Sequence, residues 1–432
     1  MRPYILAILI LAIATAAHAQ DGTAQWSLSD VTKIALEKNP DLKSAGANYE
    51  ATSHAITAAI SGYLPRVDFT GNISESTLPQ PSAGSSSQIG IKLDYSSVIF
   101  QVNQVLFDFG RNLAQINSAR AQNGSAEQQT LAVKNAVTLA VERAFYDVIA
   151  NQKLIDAAQQ SLARYQETYR RTEVLVKTGA RPEFDRTQAT VELSKAKLAL
   201  INAQNSLELS KIALINIMGL EDQVPFILVE NQTEDRTTSS QLDLMKLERK
   251  ALDFRPEMKS SEFNVEAAQN VLHGEMTNYL PTFGFQAFYG NYLPSYPDSI
   301  RNAWGAGLTA NWNLFEGMGT TARVGEFAAK RDQQEDLREK QRENIIAEVA
   351  SDYMQLVRAE SNFQVSTEAL TAAKENDFLA RKRYDSAVAT ILELLVANGS
   401  LISAEASAIQ AKYQRAVALE QLKTAVNAPL LN

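Results

Sequence analysis

The side chains that most often carry out chemistry are scarce in this chain of 432 residues, which contains three histidines and no cysteine. Without thiols there is no Cys nucleophile, no disulfide and no thiolate metal ligand. His54 and His273 are distant in the sequence, and each is predicted to stand alone on a helix. Phosphate-binding glycine loops and dinucleotide fingerprints are also missing from the sequence. We therefore expect a protein that is not an enzyme and that holds no cofactor or metal.

The net charge of −8 is a second constraint on function. Binding to a polyanion needs clustered positive charge, so we do not expect nucleic acid as a partner. Glycine and proline number only 19 and 12, which favours long helices over a loop-rich β-sandwich.

Residues 1–19 are predicted to be a signal peptide. Arg2 precedes an apolar run from Tyr4 to Ala17, and Ala17-His18-Ala19 fits a cleavage site. The run is shorter than the ~20 residues that span a bilayer as a helix, although an N-terminal membrane anchor is the alternative. The rest of the sequence has no apolar run near that length, so we expect any membrane insertion to use strands. The lack of cysteine excludes a lipid-modified N-terminal cysteine.

The rest of the chain contains a long-range repeat. Three motifs recur in the same order, the first two after 216 positions and the third after 208: Asn-Pro-Asp-Leu at 39–42 with Arg-Pro-Glu-Met at 255–258, Tyr-Leu-Pro at 63–65 with 279–281, and Leu-Phe-Asp at 106–108 with Leu-Phe-Glu at 314–316. We predict an internal duplication, with residues 20–219 and 254–432 as the two repeats and 220–253 as a linking segment. Each repeat is expected to hold a helix, two strands and two long helices.

Alternating apolar residues predict a two-stranded hairpin in each repeat. The clearest alternation runs from Trp304 to Leu314, and the first strands are expected at 66–76 and 282–292. An apolar face with period two over about eleven residues fits a lipid-facing strand, although a soluble hairpin packed on a core is the alternative. Aromatic residues that would form an interfacial belt lie in or beside the second hairpin: Trp304, Trp312, Tyr289 and Tyr292.

Apolar and small residues at alternating spacings of three and four predict long antiparallel coiled-coil helices. One helix over 112–178 would reach ~100 Å at about 1.5 Å per residue, which suits a tall helical tube better than a compact globule. Gly179 and Pro182 mark the turn that ends it. The corresponding turn near 387–390 has no glycine.

Four strands per chain are too few to close a barrel, since about eight is the smallest working number. An open sheet edge is not viable in lipid, so we expect the chain to form oligomers. Two chains would supply eight strands and three would supply twelve, and this arithmetic leaves both open.

Taken together, these features resemble the TolC family of outer membrane efflux proteins of Gram-negative bacteria, over essentially the whole chain after the signal peptide. The motifs that carry the resemblance are Leu-Phe-Asp-Phe-Gly at 106–110, Leu-Phe-Glu-Gly at 314–317, the two Tyr-Leu-Pro motifs and the turn from Gly179 to Asp185. The resemblance implies a mainly α fold with a small β-barrel contribution. In that fold a homotrimer shares one twelve-stranded outer membrane β-barrel above a periplasmic α-helical tunnel, and residues 220–253 would lie in a partly helical equatorial segment around the tunnel.

The resemblance also implies a passive exit duct of a tripartite efflux or type I secretion system. An inner-membrane transporter would supply the energy, and a periplasmic adaptor protein would dock on the closed tip of the tunnel. The cargo, whether drug, metal ion or secreted protein, is not written in the sequence.

Residues at the tip follow from the same resemblance. Glu393 stands at one acidic aperture position of the family, whereas Val396 occupies the next. Leu392 and Leu395 would add an apolar constriction, and Asp185 is the first-repeat counterpart. Both acids have an alternative as solvated helix-start carboxylates.

The expected adaptor contacts are Gly179, Arg181 and Val388, with an ordinary exposed arginine as the alternative for Arg181. A different class of protein also remains open. A periplasmic coiled-coil adaptor or scaffold without a transmembrane barrel would be water-soluble, whereas an outer membrane duct would need detergent. A stand-alone porin would need far more strands per chain.

Overall fold

The computed structural model describes residues 24–80, 89–221, 226–230, 237–294, 301–386 and 388–430. The predicted signal peptide at 1–19 lies outside these residues. In chain order the elements of the described residues are β1 (Ala24–Trp26), α1 (Leu28–Lys38), α2 (Pro40–Ile60), β2 (Arg66–Gln80), β3 (Ile89–Phe107), α3 (Arg111–Lys177), α4 (Glu183–Met218), β4 (Phe226–Leu228), α5 (Leu244–Phe254), α6 (Pro256–Met276), β5 (Thr282–Pro294), β6 (Arg301–Asn311), α7 (Gly319–Asp385) and α8 (Ile391–Val426). The chain is therefore mainly helical, as expected.

The succession of helix, two strands and two helices occurs twice. Helices α2 and α6 each have 21 residues, α3 and α7 each have 67, and α4 and α8 each have 36. A proline opens both α2 and α6, because a proline at the first helical position sacrifices no hydrogen bond. The element order of the two predicted repeats is thus present, and their origin by duplication remains a prediction.

Helix α1 was not foreseen from the sequence. Ser27 accepts a hydrogen bond from the backbone N–H of Asp30, and the Asp30 side chain accepts one from the backbone N–H of Ser27. This reciprocal capping box is present in the sequence as Ser27-x-x-Asp30, a local signal for a helix start.

The four long strands form one antiparallel sheet in the order β2-β3-β5-β6. The sheet is a simple meander, and both β2 and β6 keep one edge that pairs with no other strand of the described residues. Strand β2 continues to Gln80, four residues beyond the predicted end. Pro79 lies within this extension and pairs with Gly90. Proline is tolerated there because β2 is an edge strand and Pro79 lies near its end.

A sharp bend joins each hairpin to its long helix. Phe109 and Gly110 adopt positive φ angles of 54° and 91°, and Gly317 and Met318 do so at the matching place with 57° and 69°. Buried Asp108 stabilises the first bend, because its carboxylate accepts from the backbone N–H groups of Gly110 and Asn112 at 3.1 and 2.9 Å.

The helices pack lengthwise. The first half of α3 packs on α2 and α6, and its second half packs on α4 and α8. Helix α8 also packs along α7. Fully buried side chains such as Phe145, Leu214 and Leu356 lie in clusters along these seams. A third cluster, around Tyr165, Tyr384 and Leu394, lies at the end where the helix turns meet.

The segment between the repeats lies against the helices at mid-length. Strand β4 pairs in parallel with β1, and the rings of Trp26 and Phe226 stack with centroids 4.8 Å apart. Farther on, Ser239 donates its backbone N–H to Glu360 of α7 at 3.0 Å. We call α1, β1 and the described part of 226–254 the belt.

One helix departs from the expectation that no helix is apolar enough to span a membrane. Among the described residues, α8 (Ile391–Val426) has the length and composition of a membrane span, with a mean hydropathy of 1.2 in its most apolar window. In this fold the alanines and leucines of α8 pack against helices, because α8 lies along α7 and α3.

Candidate functional site

Two helix-to-helix turns lie side by side at the tip of the helices. In the first, Gly179 adopts a φ of +73°, and the N–H groups of Ala180 and Arg181 bond to the carbonyl of Leu175 at 2.9 and 3.2 Å. In the second, the N–H of Val388 bonds to the carbonyl of Arg383 at 2.9 Å. Both turns therefore close by the same wrapping of the chain around the last helical carbonyls.

Arg181 ties the two turns together. Its guanidinium donates to the carbonyl oxygen of Ala389 at 3.1 Å and lies over the ring of Tyr384, 4.8 Å from the centroid. Such a charged hydrogen bond, together with a cation–π contact, holds the two turns in contact with each other. Neither use predicted for Arg181, adaptor contact or free exposed arginine, anticipated this intramolecular role.

Two further contacts join α3 to α7 near the tip, and sequence reasoning missed both. Arg171 pairs with Asp385 at 3.1 Å, and the hydroxyls of Thr172 and Tyr384 lie 3.3 Å apart in a buried position. Hydrogen bonds from Arg171 to Glu167 and Asp385 raise the pKa of Arg171, so the guanidinium stays protonated.

Glu393 occupies the first turn of α8 and caps it. Its carboxylate accepts from the backbone N–H of Thr390, while the Thr390 hydroxyl accepts from the backbone N–H of Glu393, both at 3.3 Å. Arg383 approaches the carboxylate at 3.5 Å, and the side chain stays about half exposed. The geometry therefore gives Glu393 a helix-start function and leaves its charge accessible.

The apolar aperture candidates separate into exposed and buried positions. Leu392 and Val396 are 63% and 59% exposed and lie one helical turn apart. Leu395 is only 8% exposed because it faces the Tyr165–Tyr384 cluster instead. Leu395 therefore packs within the chain in this conformation, contrary to the expectation that it flanks an opening.

Asp185 and Val388 also have clear environments. Asp185 is 5% exposed, which excludes the solvated helix-start carboxylate considered for it. Val388, at 70% exposed, protrudes from the second turn, and Gly179 has open space around it in the first. The tip thus presents a small apolar surface at its outer end.

An aromatic row crosses the sheet at a single level. Phe69 pairs with Phe100, Phe100 with Tyr289, and Tyr289 with Trp304, so one side chain from each strand lies on the same face. All four are exposed, and the rings of Phe69 and Phe100 are 5.0 Å apart. The pattern is that of the girdles on lipid-facing barrels, and its first-repeat half was not predicted.

The other two predicted membrane-interface aromatics, Trp312 and Tyr292, lie at the ends of the second hairpin. Trp312 follows β6 directly, and its indole N–H donates to the carbonyl of Tyr279 at 3.1 Å. Tyr292 pairs in register with Arg301, while its side chain lies outside the described part of the structure.

The two histidines of the described residues, His54 and His273, lie outside these sites. His54 is exposed on α2, and His273 lies 3.0 Å from the amide nitrogen of Gln269 on α6.

Comparison with known proteins agrees with this geometry. The sequence profile of the outer membrane efflux protein family matches residues 31–220 and 247–428. The chain is 22% identical over 421 residues to the probable efflux pump outer membrane protein TtgC of Pseudomonas putida, covering 96% of this chain and 85% of that protein. It is 21% identical over 416 residues to the outer membrane protein TolC of Vibrio cholerae, covering 94% and 92%.

A solved structure shares the fold. A membrane protein from Pseudomonas aeruginosa superposes with a TM-score of 0.80 over 92% of this chain and 93% of that one, at 18% identity. The family is one of transport channels rather than enzymes. The family match spans most of the chain and both hairpins, which confirms the resemblance seen in the sequence: the chain belongs to the outer membrane efflux protein family and is an outer membrane exit duct that extends into the periplasm.

Proposed function

We propose that three copies of the chain form one duct, in which three times four strands close a twelve-stranded barrel. The observation that carries this proposal is the four-stranded sheet, in which β2 and β6 each have an edge unpaired within the described part of the chain, next to helices of 67 residues. Unpaired edges are not viable in lipid, so the edges of neighbouring chains must pair. A dimer would also pair them, but a barrel of about eight strands is filled by side chains and leaves no route for cargo.

Within this trimer, residues 20–219 and 254–432 act as two equivalent repeats and 220–253 lies around the tube. Residues 1–19 direct export and are removed. The aromatic row through Phe69, Phe100, Tyr289 and Trp304 would lie at one border of the lipid.

The duct is passive in this proposal. An inner-membrane transporter supplies the energy and selects the cargo, and a periplasmic adaptor joins it to the tip. The exposed apolar Val388, beside Gly179 and Arg181, supports an adaptor contact at this end.

Glu393 is proposed to line the aperture. Three half-exposed carboxylates around one axis would attract cations, and the exposed Leu392 and Val396 would narrow the opening with apolar groups. Buried Leu395 and Asp185 support the tip from within the chain instead.

Planar lipid bilayers test both the duct and the aperture. The purified protein is expected to insert and conduct in discrete steps, whereas a water-soluble protein that never conducts would exclude a duct. The Glu393→Ala variant is expected to raise single-channel conductance or to weaken block by added divalent cations. Glu183→Ala, an exposed acid at the start of α4, serves as the matched control. Unchanged conductance and unchanged block in Glu393→Ala would remove Glu393 from the aperture.

A further inference from the structure

The two hairpins end differently where they join their long helices. Strand β3 continues to Phe107, whereas β6 stops at Asn311. In the repeat, Phe107 corresponds to Phe315. Residues 104–107 are strand, while the matching residues 312–315 have no regular secondary structure.

The neighbouring strand explains the difference. Strand β2 begins beside Asn103, so residues 104–107 pair with β5 alone. Asn311 matches Asn103 in the repeat, and the pairing of β6 with β5 ends at this residue. Among the described residues no strand lies on the other side of β6, so 312–315 lack the partner that β5 gives to 104–107.

Large apolar side chains are exposed at both edges of the sheet. Just beyond β6, Leu314 and Phe315 are 77% and 79% exposed. At the start of β2, Val67 and Phe69 are 66% and 64% exposed. Clustered apolar residues of this size mark contact surfaces, so both edges are candidates for pairing with another copy of the chain.

The internal repeat supplies a register for this contact. Phe69 pairs with Phe100 in the first hairpin, and the matching residues Phe285 and Leu308 pair in the second. The two hairpins therefore have the same register, with β5 in the place of β2 and β6 in the place of β3. The contact of β3 with β5 inside one chain is then equivalent to a contact of β6 with β2 of the next copy.

We propose that β6 pairs with β2 of the next copy in the register in which β3 pairs with β5, and that residues 312–315 become strand in this pairing. The inference rests on the proposed trimer, which by itself leaves the register open. Gln104 lies opposite Phe285, so Trp312 lies opposite the next copy's Phe69. An aromatic pair therefore stands at each junction between chains.

Both faces of the joined sheet agree with this register. On the face that carries the aromatic row, Leu308 lies opposite the next copy's Ile73, and these side chains are 79% and 91% exposed in the single chain. On the other face, Asn311 lies opposite the next copy's Thr70. Apolar residues thus meet on the lipid side and polar residues on the lumen side, whereas a slip of one residue would reverse one of the strands.

Strand lengths select among the registers that keep the faces matched, which differ by steps of two residues. In the proposed register the last residue of β2, Gln80, lies opposite the first residue of β6, Arg301. The 15 residues of β2 then lie beside 301–315, which is β6 together with the segment that lacks a partner in the single chain. A slip of two residues in either direction would leave an end of β2 or of 301–315 unpaired.

Barrel closure also agrees with this register. Paired residues lead across one chain from Phe69 to Trp304. Trp304 then lies opposite the next copy's Thr77, eight positions along β2 from Phe69. An even displacement keeps the lipid face continuous, and a displacement other than zero lets the strands tilt, as a closed barrel requires.

Disulfide formation tests the register, because the chain has no cysteine of its own. Ala310→Cys combined with Gly71→Cys places two thiols directly opposite each other in the proposed register, and Gly71 has room for a side chain. Within one chain β3 and β5 keep these positions ~14 Å apart, so only a bond between chains can form. Ala310→Cys combined with Phe69→Cys or with Ile73→Cys tests the registers two residues away.

Val102→Cys combined with Ala287→Cys is the matched control, because these residues pair within the chain at the equivalent position. Rates are read from the loss of maleimide-reactive thiols during mild oxidation of detergent-extracted trimers. Ala310–Gly71 is expected to oxidise at a rate similar to the control and to give covalent dimers and trimers in SDS. Opposite Cβ atoms lie ~5 Å apart and diagonal ones ~7 Å, so the other two combinations should react at least about tenfold more slowly.

The outcomes separate the register from the trimer. Faster linkage through Phe69→Cys or Ile73→Cys than through Gly71→Cys would overturn the inference while particle mass still reads three chains. Absence of any bond between chains while the control oxidises would overturn it as well. A particle mass other than three chains would overturn the proposed function itself. Thr309→Cys with Asn72→Cys, the next opposite pair, replaces the Gly71 variant if that variant does not assemble.

Amide exchange is the second readout. In the assembled protein, residues 312–315 are expected to exchange as slowly as 104–107, because both segments then bond to a neighbouring strand. Exchange of 312–315 as fast as that of the exposed turn at 178–180 would contradict their conversion to strand.

Discussion

Glu142 illustrates how the environment of one side chain changes its chemistry in this fold. It lies on α3 against α8, where burial first and then the charge of Glu420 raise its pKa to about 7. Lys423 acts in the opposite direction, although it also pairs with Glu420 at 2.9 Å. The carboxyl therefore changes its charge near neutral pH, where ordinary carboxyls are fully ionised.

Replacing Glu142 with glutamine should change how stability depends on pH. The folded-state pKa lies above the ordinary 4.5, so the protonated form is favoured on folding. The stability from this group is fully present below pH 4.5 and is lost as pH rises through about 7. Glu142→Gln is expected to be more heat-stable than the wild type at pH 8 and to lose less stability between pH 5 and 8. Parallel pH curves for the two proteins would contradict this, and Glu335→Gln on the exposed face of α7 is the control.

At the residue scale, the sequence indicates those contacts that form between neighbouring positions. The Thr390–Glu393 capping arrangement lies within one helical turn, so a helix start at Glu393 was readable. The bond from Arg181 to Ala389 joins residues 208 positions apart, and no local pattern encodes that distance. Burial of Leu395 rather than Leu392 likewise depends on which face of α8 meets the cluster around Tyr384.

At the scale of elements, the paired helix turns behave as one unit. We predict that Arg181→Ala loosens the second turn, because both the hydrogen bond to Ala389 and the contact with Tyr384 are lost. A hydrogen bond from a charged group is worth about 1.5 kcal/mol or more, so amide exchange at Val388–Thr390 should quicken about tenfold. Arg186→Ala removes an exposed arginine whose ion pair, among the described residues, is with Glu183 of the same helix, and it should leave this exchange unchanged. Equal exchange in wild type and Arg181→Ala would show that the turns are held by other contacts.

The seam between α7 and α8 contains a polar residue that lowers its stability. Asn398 is fully buried, and among the described residues its amide nitrogen has no hydrogen-bond partner and its oxygen accepts a single long bond of 3.4 Å from Arg381. Asn398→Leu is therefore expected to raise the thermal midpoint of unfolding by the equivalent of about 1 kcal/mol. Asn398→Asp, which buries a charge instead, should lower it. A lower midpoint for the leucine variant would mean that the amide sets the alignment of the two helices, as single polar residues do in coiled coils.

Element boundaries show what sequence patterns can define. Prolines and the alternating strands located α2, α6 and the start of β5, because these signals act on the backbone directly. The start of α1 was not predicted, although its capping box is a local signal, and β2 extends past Pro79 because pairing with β3 outweighs the local turn preference.

For the whole molecule, the element order, the long helices and the position of residues 220–253 against them were predictable, whereas the pairing of β1 with β4 was not. This pairing combines a short strand at the start of the first repeat, β1, with one in the segment between the repeats, β4, and each of these strands has only three residues. Patterns this short carry no periodicity of their own. Assembly is a further step, because the open edges of β2 and β6 require a partner that one sequence does not display.

The central claim of this account is that three chains share one barrel and one tunnel. The most direct measurement is the number of chains per particle in protein extracted with detergent from outer membranes, read from native mass or light scattering corrected for bound detergent. We predict three chains, a particle that resists dissociation until heated in SDS, and no protein in the water-soluble fraction. A particle of two chains, or a water-soluble monomer, would contradict the account.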